Sequence, residues 1–295
     1  MDEYKDRYKE KLIQTYKEFR KICEENGFHY YAYGGTCIGA VRHHDIIPWD
    51  DDIDILMPRD DYYKFLALKS SLSNSNYDII SYKDSGYYFP FSKFINKNTT
   101  IWERRMNPYL IGVFIDIFPL YNSKDSIDDV KYIGDKYLKL YSSAVRSIDK
   151  YPLYRLMDAL KEKKYRLFMG YIKSMLVYSI GCERFMNRFE GFERSINNEC
   201  GDKMVSYTSR KYGIEKEIFQ SKWFKDYIVV PFADTDIRVP IGYDEFLKFV
   251  FGNYMQLPPV EQRVSDHRKY YANLKEGLTL KEVKQRIKEG EFCVY

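Results

Sequence analysis

Cysteine is scarce and scattered. Cys23, Cys37, Cys182, Cys200 and Cys293 form no Cys-x-x-Cys pair and have no histidine at ligand spacing. An odd number of isolated thiols argues against a zinc site or a disulfide framework and fits a reducing compartment. No window reaches the roughly eighteen uninterrupted apolar residues that a membrane span needs. The opening Met1-Asp2-Glu3-Tyr4-Lys5 is charged and lacks the apolar stretch of a signal peptide, so a cytoplasmic protein is expected. Neither sign of charge dominates: the net charge is +4, too small and too evenly spread to suggest a nucleic-acid partner. Internal repeats and low-complexity tracts are missing as well.

What is present is aromatic. The 295 residues include 30 Tyr and 19 Phe, in a chain that is 45% hydrophobic and 31% charged. Such a length can bury a full core, as one large domain or one domain with a helical extension. Tyr joins an apolar ring to a hydroxyl that wants a partner, which suits half-buried surfaces and sugar or polyol sites, although an AT-rich codon bias gives the same excess. One local imbalance stands out. Between Lys150 and Lys173, seven basic residues (Lys150, Arg155, Lys161, Lys163, Lys164, Arg166, Lys173) face only Asp158 and Glu162.

Periodicity outlines an α+β fold. Tyr8, Leu12, Tyr16, Phe19 and Cys23 form one stripe of an amphipathic helix ending near Gly27. A short aromatic strand over 28–33 runs into the turn Gly34-Gly35-Thr36 and a helix to Arg42. The segment 52–57 alternates with period two, placing Ile53 and Ile55 on one strand face and Asp52 and Asp54 on the other. A helix capped by Asp60-Asp61 should reach about Leu72, with strands following at 77–82, 91–95, 99–102 and 112–118. In the last of these, Asp116 lies on a face that otherwise carries Phe114 and Phe118. Three or four helices are expected between about 125 and 198. Strand-like runs at 229–232 and 237–241 and a helix over 244–251, stopped by Gly252, follow.

The chemistry concentrates in Asp50-Asp51-Asp52-Ile53-Asp54. Four carboxylates crowd five positions, and burying them unpaired would cost several kcal/mol unless a cation offsets them. Carboxylates at i and i+2 of a strand suit a hard divalent ion such as Mg²⁺, which takes oxygen ligands and leaves positions for substrate phosphates. A solvated acidic loop is the alternative. The glycines at 34, 35 and 39 let an anion approach the backbone at a helix N-terminus, or simply make a turn. Arg42 and His43 either neutralise phosphate charge or pair with the acidic cluster. Lys93 is a further phosphate candidate, against the reading of a surface lysine, and Trp49 either stacks on a ligand or packs in a Pro-Trp corner.

The run Tyr33-Gly34-Gly35-Thr36-Cys37-Ile38-Gly39-Ala40-Val41-Arg42-His43, followed by Ile47-Pro48-Trp49-Asp50-Asp51-Asp52-Ile53-Asp54-Ile55, resembles the signature of the LicD family of phosphocholine and phospho-alditol transferases. Further similarity lies at Arg59-Asp60-Asp61-Tyr62, at Ile115-Asp116-Ile117-Phe118-Pro119-Leu120, and between Pro240 and His267. The resemblance implies a nucleotidyltransferase-like mixed sheet with flanking helices. It also implies transfer of a phospho-alcohol (phosphocholine, or ribitol or glycerol phosphate) from a CDP-linked donor to a glycan or lipid-linked glycan acceptor, with release of CMP. By the same resemblance Asp52 and Asp54 ligate Mg²⁺ or Mn²⁺, and Asp116 is a further ligand or the base that takes the acceptor proton. Asp50 and Asp51 would orient the loop. Gly34, Gly35 and Thr36 would hold donor phosphate, with Arg42, His43, Lys93 and His267 as further substrate contacts. His44-Asp45 and Tyr121 depart from the family pattern and leave donor and acceptor identity open.

The expected organisation is a catalytic core over 1–124, a helical insertion over 125–200, and a C-terminal part, 201–295, that completes the catalytic domain. Within the insertion, 165–180 is apolar on nearly every side except Lys173 and follows the basic run. It is either a helix buried against the core or a peripheral membrane contact through 150–180. Two other functions compete with phospho-alcohol transfer: nucleotidyl transfer with release of pyrophosphate, and an inactive glycan-binding relative.

Overall fold

The computed structural model describes residues 2–105, 107–147, 153–208, 213–265 and 269–291. It begins with α1 (Asp2–Asn26), whose stripe of Tyr8, Leu12, Tyr16, Phe19 and Cys23 is buried as the periodicity predicts. The chain then passes through β1 (Tyr31–Ala32), α2 (Gly34–His43), β2 (Asp54–Pro58) and α3 (Arg59–Ala67), which is extended by a 3₁₀ turn to Leu72. Asp60 and Asp61 lie in the first turn of α3, after Pro58 at the cap position, where they still complement the helix dipole.

The strands β3 (Tyr77–Ile80), β4 (Ser92–Trp102) and β5 (Ile111–Ser123) follow. The two runs expected at 91–95 and 99–102 are one strand, β4, whose register shifts between Asn96 and Ile101. A helical segment comes next: α4 (Ile127–Arg146), α5 (Leu153–Lys161), α6 (Tyr165–Ile180) and α7 (Cys182–Ser195). The chain then returns to strands with β6 (Lys203–Val205) and β7 (Ile218–Gln220). The hairpin β8 (Tyr227–Phe232) and β9 (Thr235–Pro240), α8 (Tyr243–Phe251), β10 (Tyr271–Asn273) and α9 (Leu280–Lys288) complete it. Gly252 stops α8 at φ 69°, a conformation that glycine adopts without the Cβ penalty.

The main sheet is mixed, with the order β1-β2-β5-β4-β10, and the class is α+β. Only β2 and β5 run parallel among the paired described strands, and their register sets Asp54 opposite Asp116. On the other side of β5, antiparallel β4 sets Lys93 opposite the same Asp116. α1 packs across this region: Phe19 lies 5.3 Å from Phe65 and 6.1 Å from Phe94, ring to ring. Tyr31, Phe219, Trp223, Phe224 and Phe246 continue the same core, so residues from both ends of the chain enclose the central strands. Much of the aromatic excess is therefore structural, in tilted and edge-to-face pairs.

A second core joins the helical segment to the sheet. Val130, Tyr137, Met186 and Phe189 from α4 and α7 pack with Tyr121 at the end of β5. At this seam Glu193 of α7 is buried and accepts hydrogen bonds from the hydroxyls of Tyr63 and Tyr121. The Arg59 guanidinium stands 5.5 Å and 5.4 Å from the two ring centroids. By contrast α6 is not a buried helix, which corrects one of the two expectations for it. Ser174 is its one fully buried residue, and Tyr165, Met169, Leu176 and Ile180 face outward.

Glu193→Ala leaves the buried Tyr121 hydroxyl and the half-buried Tyr63 hydroxyl without their acceptor and should cost about 3 kcal/mol, whereas Glu193→Gln, which keeps an acceptor oxygen, should cost about 1 kcal/mol. Urea unfolding checks the order; an alanine variant as stable as the parent would mean that α7 is not held to the sheet through this residue.

Candidate metal centre

Three chain segments converge on one point. β2 begins at Asp54, β5 presents Asp116 beside it, and Asp52 approaches from the extended residues just before β2. Asp52 thus precedes the strand rather than sharing its face, which corrects the sequence expectation for its placement. One carboxylate oxygen from each of Asp52, Asp54 and Asp116 lies within 4.8 Å of the others. The backbone fixes this convergence: Asp116 N–H donates to Ile53 O at 2.8 Å, and Tyr33 N–H donates to Asp54 O at 2.9 Å.

The start of α2 closes over the carboxylates. Thr36, buried, accepts the Asp54 N–H on its hydroxyl at 2.8 Å, so its side chain positions the acid. Gly34 sits at φ 54°, and a Cβ there would come within 3.3 Å of Asp54 Oδ2. At Gly35 a Cβ would meet Asp50 Oδ2 at 2.5 Å. The glycine pair is thus what allows a helix N-terminus, with its partial positive charge, to approach two carboxylates.

The electrostatics are those of crowded like charges. Burial is the largest force raising the Asp54 carboxyl well above the carboxylate range, followed by Asp52, Asp116 and Asp50, with Lys93 acting in the opposite direction. Burial, and then Asp52, push Asp50 up to about 8. Such groups hold protons they would shed in water unless a cation compensates. Lys93 supplies part of that charge. Only 1% exposed, it is no surface lysine: its Nζ donates to Asp116 Oδ1 at 2.7 Å and lies 3.7 Å from Glu103. The rings of Phe114 and Phe89 receive the same ammonium at 3.3 Å and 4.8 Å. The donor set is all oxygen and hard, which fits Mg²⁺ or Mn²⁺ better than a thiolate-seeking ion.

Other expected residues lie around this centre or apart from it. Asp51 accepts hydrogen bonds from Ser265 Oγ, at 2.6 Å, and from the buried Lys269. Arg42 donates to the carbonyls of Tyr254 and Gln256 and to His43 Nε2, and burial followed by Arg263 lowers its pKa. Its described hydrogen bonds therefore tie α2 to the segment after α8 rather than to the acidic cluster. His43 is shifted down by burial and then Arg42, and its ring meets Trp49 edge-on at 6.1 Å. The guanidinium of Arg263 lies 5.5 Å from the Trp49 ring centroid. His267 lies outside the described residues.

Sequence reasoning missed Glu103 and Lys269, whose roles depend on contacts between distant segments. It also missed a small cavity lined by Tyr87, Tyr88, Phe89, Glu103, Arg104 and Tyr109, where the Arg104 guanidinium lies 4.9 Å from the Tyr88 ring centroid. Glu103 connects that cavity to Lys93, and so to Asp116.

The family model described as LicD/FKTN/FKRP, nucleotidyltransferase domain, matches residues 27–157, a segment that contains all three converging carboxylates. Lipopolysaccharide cholinephosphotransferase LicD of Haemophilus influenzae is 26% identical over 253 residues, covering 84% of this chain and 90% of that protein. Over this segment the chain is similar to the LicD family. Ribitol 5-phosphate transferase FKRP, from human and from mouse, is 43% identical over 44 residues, which are 15% of this chain and 9% of FKRP. Lys93 and Glu103 fall inside the matched segment, whereas Lys269, Arg263 and helices α6 and α7 lie beyond it.

The raised carboxyls set the pH dependence of the metal-free chain. Folded Asp50 titrates near 8 and the unfolded side chain near its ordinary 3.8, so the folded form binds more protons between those values. Stability must then fall as pH rises through that window. Urea unfolding in EDTA should give a chain about 2 kcal/mol less stable at pH 8 than at pH 5, with Mg²⁺ restoring much of the loss. Equal stability at both pH values in EDTA would show that the carboxylates are not crowded in solution.

Proposed function

We propose that this chain is a divalent-metal-dependent phosphotransferase of the LicD family with a nucleotidyltransferase-like core. It moves phosphocholine, or a related phospho-alcohol, from a CDP-linked donor to a hydroxyl of a cell-surface glycan and releases CMP. The observation that carries this reading is the convergence of Asp52, Asp54 and Asp116 beneath the glycine-bearing start of α2. That pairing suits a diphosphate, because carboxylates alone would repel it and backbone N–H groups alone would bind it without organising transfer.

Asp52, Asp54 and Asp116 would hold the ion. When bound, Mg²⁺ or Mn²⁺ neutralises phosphate charge and orients the donor. The N–H groups at Gly34 and Gly35 are donors for a phosphate oxygen near the carboxylates. Lys93 positions Asp116 through its 2.7 Å hydrogen bond. The acceptor hydroxyl attacks the distal phosphorus in line while its proton passes to the Asp116 carboxylate, and CMP leaves with the electrons of the broken P–O bond.

Phosphocholine is the preferred cargo on one ground. The relative matched over most of the chain is named a cholinephosphotransferase. Residues 1–124 and 201–295 are read as the catalytic part, since β6, β7 and β10 join the same sheet as β2 and β5, with 125–200 as a helical insertion. Few and scattered thiols support a cytoplasmic site of action.

Incubated with Mg²⁺ and CDP-choline, CDP-ribitol or CDP-glycerol, the chain should release CMP fastest from CDP-choline, and EDTA should abolish release. Asp52→Asn and Asp116→Asn should each lower the rate on the order of 10³-fold with an unchanged far-UV spectrum. Pyrophosphate as the product would replace this reading with nucleotidyl transfer, and near-normal turnover in either variant would remove the metal assignment.

A further inference from the structure

The hairpin of α5 and α6 exposes more apolar surface than a free surface ordinarily carries. Leu153, Tyr154 and Met157 on α5, and Tyr165, Met169, Leu176 and Ile180 on α6, are each half exposed or more. At 100° per residue, Tyr165, Met169, Lys173, Leu176 and Ile180 fall within one narrow stripe along the whole of α6. Leu153, Met157 and Leu160 form the matching stripe of α5. The residues of the two helices that are buried or partly so are others, among them Ala159, Phe168, Tyr171 and Ser174. Both outer stripes are therefore left uncovered after the hairpin has packed.

The charge around these stripes is mostly positive. Lys161, Lys163, Lys164 and Arg166 crowd the turn that joins the helices, with Lys173 midway along the α6 stripe and Arg155 on α5. All six are exposed, and the opposing acids of the hairpin are Asp158 and Glu162, the latter paired to Lys164 at 2.6 Å. No described helix is long and apolar enough to cross a membrane. Apolar stripes ringed by long cationic side chains fit a surface that offers hydrocarbon below and negative charge above.

We propose that the α5–α6 hairpin docks the protein onto the headgroup region of an anionic lipid bilayer, with Met169, Leu176 and Ile180 entering the acyl boundary and the turn lysines meeting lipid phosphates. Charge complementarity selects this occupant over a second copy of the chain, because two like-charged turns brought together would repel. The inference stands apart from the catalytic reading, since α6 lies outside the family-matched segment and shares no residue with the carboxylate site.

Flotation of the full chain with vesicles tests it, using phosphatidylcholine alone and phosphatidylcholine mixed with phosphatidylglycerol. The chain should float with the mixed vesicles at low salt and much less with phosphatidylcholine. The pair Met169→Glu with Leu176→Glu should abolish flotation, and Lys163→Glu with Lys164→Glu should weaken it by at least roughly fivefold per lysine. All of these residues are exposed, so thermal melting should show variants folded like the parent. Failure to float with either vesicle overturns the proposal, as does flotation indifferent to both pairs of substitutions. A dimer in light scattering that Met169→Glu with Leu176→Glu dissociates also overturns it, in favour of self-association.

Discussion

The repulsion among Asp50, Asp52, Asp54 and Asp116 is the constraint to which the structure around them responds. Four carboxylates in a partly dry site would unfold a small domain if nothing opposed them, because each resists losing its water. Three features oppose them here. Lys93 brings an ammonium to Asp116 from the adjoining strand, α2 turns its N-terminus toward Asp54 and Asp50, and two carboxyls are driven toward the protonated form. A bound cation would replace that last, costly solution, and stability held below its maximum at this point is the usual companion of function.

The surroundings keep this point fixed. α1 lies across the central strands on a stack of rings, and the Arg59–Tyr63–Tyr121–Glu193 cluster fastens the helical segment at the far end of β5. Asp116 and Tyr121 are on the same strand, so the carboxylate site and the helical segment share one rigid element.

Local pattern made much of this legible in advance. The stripe of α1, the turn at Gly34, and the alternations around Asp54 and Asp116 follow from period and residue type, which act over a few residues. What the sequence withheld depends on partners far along the chain. That Asp54 stands opposite Asp116, and Lys93 opposite Asp116 in turn, is a matter of strand order and register, which alternation does not specify. Lys93 reads as a surface residue until β4 is seen to be covered on both faces. Asp52 reads as a strand residue, although the ladder starts two residues later at Asp54. For α6, an apolar composition suggested burial, yet composition alone does not say whether a neighbour exists to cover it.

Crystals soaked in Mn²⁺ and examined by anomalous diffraction address the central interaction most directly. A single peak within bonding distance of an oxygen from each of Asp52, Asp54 and Asp116 is the expected result. A peak elsewhere, or three carboxylates that keep apart and bind nothing at millimolar Mn²⁺, would contradict it.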